Sequence, residues 1–415
     1  MKRLGALTCV AVTLFAAFVL TVRLAAQEQP MKAHQTHYTV QDLGTLGGTF
    51  SWAFGINNHG SVSGMAYLSG DTAVHGFLWR KGRMTDLGAL EGSNSWAPNR
   101  PNDSDEVIGG AESSFTDPTG EDFCNFGFGT DLTCVPFLWE KGVMTPLPTL
   151  GGNNGTAGYI NNRGQVVGTV ENTTPDSCGL NSFQIRPVIW EHGQISELPL
   201  LPNDTNGVAN GINERGHAAG WSGCTPFLAS RAVLWKKDSV TSLGNLGGAS
   251  GANGINNRGE AFGYSYFSDN ATFHGVFWRK DMAVRDLGTL PGDTYSEAWA
   301  IDDVGRVVGG SYDAIYNERA FLWQDGRMTD LNTLIPADTE LFLLEADGIN
   351  ARGEIVGLAF NMTTGEAHAF LATPKHCGSK AEYDAVAMHG ERARPTVVLP
   401  ESVRKLLERR QGSRF

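Results

Sequence analysis

Between about residues 37 and 374 the chain alternates apolar and polar positions in short runs separated by glycine-rich turns, and three phrases recur in fixed order. The first phrase is "GINNHG" (55–60). It returns as "RPNDSD" (100–105), "YINNRG" (159–164), "GINERG" (211–216), "GINNRG" (254–259), "AIDDVG" (300–305) and "GINARG" (348–353). Alternation before the Ile-Asn pair predicts a strand, A. Asn-x-x-Gly predicts a tight turn, with Asn capping its own backbone and Gly in the left-handed position, and a run such as "VVG" opens the next strand, B. Asp105 stands where other copies have glycine, and aspartate tolerates that backbone better than most residues.

The second phrase is "HGFLW" (75–79), followed by "VPFLW" (135–139), "RPVIW" (186–190), "RAVLW" (231–235), "HGVFW" (274–278), "RAFLW" (319–323) and "HAFLA" (368–372). It predicts strand C. A short turn such as "WRKGRM" (79–84), with Asp238 and Asp281 in place of glycine in two copies, returns the chain into strand D, "RMTDL" (83–87). The third phrase, "DLGTLGG", starts at Asp42, Asp86, Pro146, Glu197, Ser242, Asp286 and Asp330, spaced by 44, 60, 51, 45, 44 and 44 residues. That period suits one four-stranded propeller blade. The expected fold is all-β, a seven-bladed β-propeller of four-stranded antiparallel blades. A D-type strand at 38–43 precedes every A, and the last blade stops at its C strand, 368–371. Pairing these two would complete the last blade, close the ring and remove exposed sheet edges.

The combination "HAFLW…G.MTDLGTLGG…GIN..G.VVG" resembles the HAF repeat family of bacterial extracellular proteins, whose namesake run stands here as His368-Ala369-Phe370. The resemblance covers about residues 37–374. It implies secretion and a repetitive β architecture, and carries over no reaction, ligand or catalytic residue.

The chain ends change the picture in a second way. Residues 1–26 show Lys2 and Arg3, an apolar run and small residues at Ala25 and Ala26, the layout of a signal peptide cleaved after Ala26; a retained membrane anchor is the alternative. Residues 27–374 form the expected propeller domain, and residues 375–415 a basic tail. In the tail "LPESVRKLLERR" (399–410) places Val403, Leu406 and Leu407 on one side of an expected short helix, docked on the ring or a partner; a disordered tail is the alternative. The body, 27–374, has 20 basic and 39 acidic residues, a formal charge of −19. Such a surface repels phosphate backbones and anionic lipid, which argues against nucleic-acid partners and against membrane insertion after signal cleavage. A monomer is expected.

Chemistry is sparse. The tryptophans in register in strand C, Trp79, Trp139, Trp190, Trp235, Trp278 and Trp323, are expected to be buried between blades rather than to stack on ligand. His75, His274 and His368 interchange with Arg186, Arg231 and Arg319 at one position, which suits a hydrogen-bond donor and not a metal ligand or general base. Asp42, Asp86, Asp286 and Asp330 read as turn or cap residues. The chain has no nucleophile elbow, paired-histidine motif, phosphate loop or Cys-x-x-Cys, and the acidic group Asp103, Asp105 and Glu106 lacks the glycine and distal glutamate of a calcium loop. No metal, cofactor or catalytic residue is assigned.

Hairpin geometry puts A–B and C–D turns on one face and B–C loops on the other, where the long insertions fall, at 110–134 and 169–185. Loops on a rigid scaffold are where ligands bind. The expected ligand-binding residues are Asp117, Glu121, Asp122, Phe123, Phe126, Phe128 and Asp131 in the first insertion, with Tyr312 and Tyr316 in the sixth blade. The alternative is an ornamental insertion held by disulfides. Of the cysteines beyond the signal, Cys124–Cys134 and Cys178–Cys224 is the preferred pairing among three, and Cys377 is left over. The function expected from these features is a secreted binding module for a carbohydrate, peptide or cell-surface partner. The alternatives are a hydrolase or lyase acting on an extracellular polymer through the loop carboxylates, and a purely structural surface protein.

Overall fold

A computed structural model describes residues 36–124, 126–179, 181–224, 229–375 and Leu407. The expected signal peptide, Cys9, Cys377 and all of the expected tail helix except Leu407 lie outside the described residues. Within them the chain is all-β, with A, B, C and D strands following one another in antiparallel sheets. Five sheets are separate and four-stranded; the first runs Ser95–Trp96, Val107–Thr116, Leu132–Glu140 and Val143–Pro146. A further sheet has eight strands. It joins Gly47–Ile56, Val62–Leu68, Val74–Arg80 and Arg83–Asp86 to Leu341–Ile349, Ile355–Asn361 and Ala367–Pro374, and Tyr38–Asp42 pairs antiparallel with Ala367–Pro374. The register of that pairing sets Tyr38 opposite Pro374 and Asp42 opposite Phe370. The two halves of the eight-stranded sheet meet at one parallel bridge, Phe50 to Ala367. The architecture of repeated four-stranded sheets is that of a β-propeller.

The repeated phrases have separate mechanical roles. In the A–B turn the asparagine Oδ1 accepts two backbone N–H groups of its own turn, as Asn57 does from His59 at 3.0 Å and Ser61 at 2.9 Å. Its Nδ2 then donates to the carbonyl of the equivalent residue in the next unit: Asn57 to Asn102 (2.9 Å), Asn102 to Asn161 (3.4 Å), Asn161 to Asn213 (3.0 Å), Asn213 to Asn256 (3.0 Å) and Asn256 to Asp302 (3.0 Å). Asp302 has no amide hydrogen to pass on, and its carboxylate takes Arg306 Nε instead, at 2.6 Å. Asn350 resumes the chain by donating to Asn57, at 3.0 Å. These side chains are buried, so each amide satisfies turn and neighbour at once.

Tryptophans of strand C pack against the preceding unit, Trp278 against Leu243 and Leu234 and Trp235 against Val167 and Leu198. All six are buried, and the indole N–H of Trp190, Trp235 and Trp278 donates to a backbone carbonyl of the crossing that enters its unit. The last repeat has Ala372 at that place. A 3₁₀ turn, Leu331–Leu334, together with Ile335 and Tyr38, fills the space. At the start of strand C, histidine or arginine reaches the acid of strand D: His75 to Asp86 (2.8 Å), His274 to Asp286 (2.9 Å), His368 to Asp42 (2.8 Å), and Arg186 to Glu197. Where strand D carries Ser242, Arg231 turns to Asp204 at 2.7 Å. One turn differs from expectation: in the fifth unit it is a residue longer, so Met282, not Asp281, takes the left-handed backbone, φ 64°. Asp238 is likewise not the left-handed residue of its turn; Lys237 is, φ 53°. Asp105 does adopt that conformation, φ 63°.

Candidate functional site

Six A strands break register at one place, between Ala53 and Gly55, Ala157 and Tyr159, Ala209 and Gly211, Ala252 and Gly254, Ala298 and Ala300, and Ala346 and Gly348. The skipped residues are Phe54, Gly158, Asn210, Asn253, Trp299 and Asp347. A bulge leaves one residue unpaired and re-aims its side chain, and all six line a single cavity of about 290 Å³. The same bend drives an A-strand carbonyl onto strand B. A Cβ on Gly64 would lie 1.9 Å from Trp52 O, and on Gly109, Gly220 and Gly309 1.9 Å from Trp96 O, Val208 O and Glu297 O. The recurring glycine of strand B is therefore a close-approach residue, in the bulged units and also at Gly109, whose short A strand shows no such break.

Four of the ten tryptophans lie outside the strand C register, and these four, Trp52, Trp96, Trp221 and Trp299, all line the cavity. Phe54 sits between two of them, 5.3 Å from Trp52 and edge-on to Trp96 at 5.9 Å. Tyr67 and Tyr264 extend the aromatic wall. The polar side chains at the wall are Asn99, Thr156, Thr169, Asn210, Asn253 and Asp347: Asp347 Oδ2 accepts the Trp52 indole N–H at 2.9 Å, Asn210 donates to Ala252 O at 2.9 Å, and Asn253 donates to Glu297 at 2.8 Å. Toward the asparagine turns lies a smaller cavity of about 90 Å³, which Arg100 lines. Arg100 is held there by Tyr159, donating from Nε to the hydroxyl at 2.5 Å, and lies 3.8 Å from Glu214.

The first insertion forms part of the wall. Cys124 is bonded to Cys134, and Cys178 to Cys224 across units, as their places in the B–C loops predict. Phe123 is buried against Cys134, Ile185 and Trp221, Phe126 lines the cavity, and Phe128 packs 5.9 Å from Tyr67. The carboxylates expected beside these rings point elsewhere. Asp117 caps its own loop through the Thr119 N–H at 2.7 Å and accepts from Asn154 at 2.5 Å. Glu121 accepts the Ser182 N–H at 2.5 Å, and its other oxygen meets Glu171 of the next unit. Glu171 is fully buried, and its second oxygen accepts from Asn154 N–H at 3.0 Å. Burial, with the charge and hydrogen bond of Glu121, pushes Glu171 up to about 8, so at neutral pH the pair shares a proton. Asp122 is half-buried, and Asp131 is exposed with φ 52°.

The expected site thus divides. Phe123 and Phe126 reach the cavity; Asp117, Glu121 and Asp131 serve the loop and its seam with the next unit, because a buried carboxylate goes where donors or a shared proton can satisfy it. Tyr312 and Tyr316 also miss the cavity: Tyr312 is buried and stacked between Tyr295 at 5.5 Å and Tyr316 at 5.7 Å. Burial pushes the Tyr312 phenol well above its usual range. What the repeat pattern missed was the inner wall, although the off-register tryptophans signalled it. Leu407 is helical and buried against Phe50, Trp52, Phe54 and Phe342, beside the cavity.

No family profile and no curated protein matches this chain. Among solved structures it is similar to the β-propeller domain of the Trilobed protease from Pyrococcus furiosus, at 11% identity and TM-score 0.42, covering 67% of this chain and 81% of that one. It is similar to a puromycin-hydrolyzing peptidase of Mycobacterium tuberculosis at 10% identity and TM-score 0.42, covering 81% of this chain and 56% of the peptidase. For a Trypanosoma rangeli sialidase the values are 10% and 0.36, covering 69% of this chain and 55% of the sialidase.

Proposed function

We propose that this chain is a secreted, seven-bladed propeller of the HAF repeat type that acts as a binding module, taking its ligand into the aromatic cavity. Division of the eight-stranded sheet at its single bridge makes seven blades of four strands, with Tyr38–Asp42 as the outer strand of the last. Closure is supported by the asparagine hydrogen bonds, which run from Asn57 unit by unit to Asp302 and, after one interruption there, from Asn350 back to Asn57. Two disulfides suit an oxidising compartment outside the cytoplasm.

One observation carries the binding reading: all four tryptophans that do not serve the repeat converge on one cavity. Trp52 and Trp221 also pack in buried clusters, so the reading rests on all four rings meeting at one space, with Trp96 and Trp299 less buried there. The hydrolase reading is weakened because Asp117 and Glu121 are engaged in the seam and none of the insertion carboxylates lines the cavity. Glycan and peptide arrays probed with the protein and with Trp299→Leu test the proposal. Specific signals lost in the variant support it; signals that survive unchanged place the ligand elsewhere.

A further inference from the structure

We infer that the chain's own C-terminal segment, residues 399–410, docks through Leu407 at the loop-side end of the aromatic cavity and competes with ligand there, an inference that rests on the cavity being the binding site. Leu407 is helical and only 2% exposed. The cluster that buries it, with the partly buried side chains packed on that cluster, shares Trp52, Phe54, Met65, Tyr67 and Trp96 with the cavity wall.

The place of this contact makes it competitive. Phe50 bridges to Ala367, Phe342 pairs with Phe360 and Phe360 with Ala367, the residue that opens the C strand Ala367–Pro374. Leu407 therefore rests at the ends of the strands that carry the B–C loops, the side from which Phe126 of the first insertion reaches the cavity. Toward the asparagine turns the space continues only as the smaller cavity, where Arg100 is held by Tyr159. A ligand coming from the loop side meets the rings on which Leu407 lies, and ring surface covered by one apolar side chain is not available to stack on another group.

The segment suits the surface in pattern, charge and reach. In a helix running through Leu407, positions three and four away share its side, which adds Val403 and flanks the leucine with Arg404 and Arg410. The strand Leu341–Ile349, which supplies Phe342 and Leu344 to the cluster, also carries the buried acids Glu345 and Asp347. Residues 375–415 hold nine basic and five acidic residues and face a body of charge −19, so attraction is long-range as well as local. The tail leaves from the C strand whose first residue is in the cluster, and that strand has eight residues, about 25 Å. The 31 residues from 376 to 406 reach well beyond this when extended. A tethered segment is present at high effective concentration without needing high intrinsic affinity.

Limited trypsin digestion of the full chain, read by mass spectrometry, and titration with Nile red, a neutral dye that brightens in apolar surroundings, test this. Cleavage after Arg404, Lys405 and Arg409 is expected to be about tenfold faster in Leu407→Asp, which cannot bury its charge in the cluster, than in the wild type. Nile red is expected to bind Leu407→Asp about tenfold tighter than the wild type, and free peptide 399–410 to reverse that gain. Trp299→Leu added to Leu407→Asp should weaken the dye, which locates it in the cavity. Equal cleavage of the two proteins overturns docking. Protection in the wild type with equal dye affinity overturns the competition, and protection that falls on dilution assigns the segment to a second copy and overturns the intrachain contact. Arrays silent for the wild type and Leu407→Asp alike sink the binding-module reading while the protection result stands by itself.

Discussion

His368 shows how one side chain can hold the two ends of a fold together. It lies in the strand that pairs with Tyr38–Asp42, and its Nδ1 is 2.8 Å from Asp42. The hydrogen bond to Asp42 raises the imidazole above its ordinary 6.5, outweighing burial. Burial alone would raise Asp42, but its bonds to His368 and the Gly44 N–H hold it below 3.8. The histidine contribution is complete below pH 6.5 and is lost as pH rises through the higher folded value. That of the aspartate is complete above pH 3.8 and is lost as pH falls through the lower one. The pair should therefore support the N-terminal strand best between these limits. NMR titration should find His368 above 6.5 in the wild type and shifted down in Asp42→Asn. Trp278 works through area instead: it is fully buried between units, so Trp278→Ala should cost about 3–5 kcal/mol. An unchanged denaturation midpoint would show that the tryptophan register does not carry the interfaces.

At the scale of elements, the first insertion is tied to the next unit by Asn154–Asp117, Ser182–Glu121 and the proton shared by Glu121 and Glu171. Glu171 has a folded value near 8 against an ordinary 4.5, so its favourable contribution is complete below pH 4.5 and declines as pH rises toward 8. Above that, two negative charges share a buried seam. Amide exchange across 113–131 should therefore quicken as pH passes through about 8, once corrected for intrinsic exchange. Glu171→Gln should flatten that pH dependence; a dependence equal to wild type would show that the seam does not titrate. Because Phe126 is on this loop, the cavity wall would loosen with it.

Across the whole molecule, the N-terminal strand is the outer strand of a sheet begun more than 300 positions later in the chain; Thr39 and Thr373, one of its pairs, are 334 apart. Removing Tyr38–Asp42 would leave the edge of Ala367–Pro374 unpaired, and such edges recruit other chains. The deletion variant should melt lower and form concentration-dependent oligomers in light scattering. A variant that stays monomeric with an unchanged melting point would count against the proposed ring closure.

Much of this was legible in one dimension because each repeat solves the same local problem. Asn-x-x-Gly specifies a turn from its own atoms, period-2 alternation specifies a strand, and interchange of histidine with arginine at 75, 186, 231, 274, 319 and 368 identifies a donor before its acceptor is known. The loop positions of the cysteines were enough to prefer the pairs that form. The cavity was not legible, since a bulge breaks the alternation that reveals strands, and a side chain at such a position points where pairing, not sequence, directs it. Phe54 lies far along the chain from Trp299 and Asp347, which belong to successive repeats, and the three come to one space only in the folded chain. The same holds for the loop carboxylates. Their residue types suggested a site, but whether an acid faces solvent, a ligand or another acid depends on the donors that folding brings near it, as Glu171 and Glu121 show.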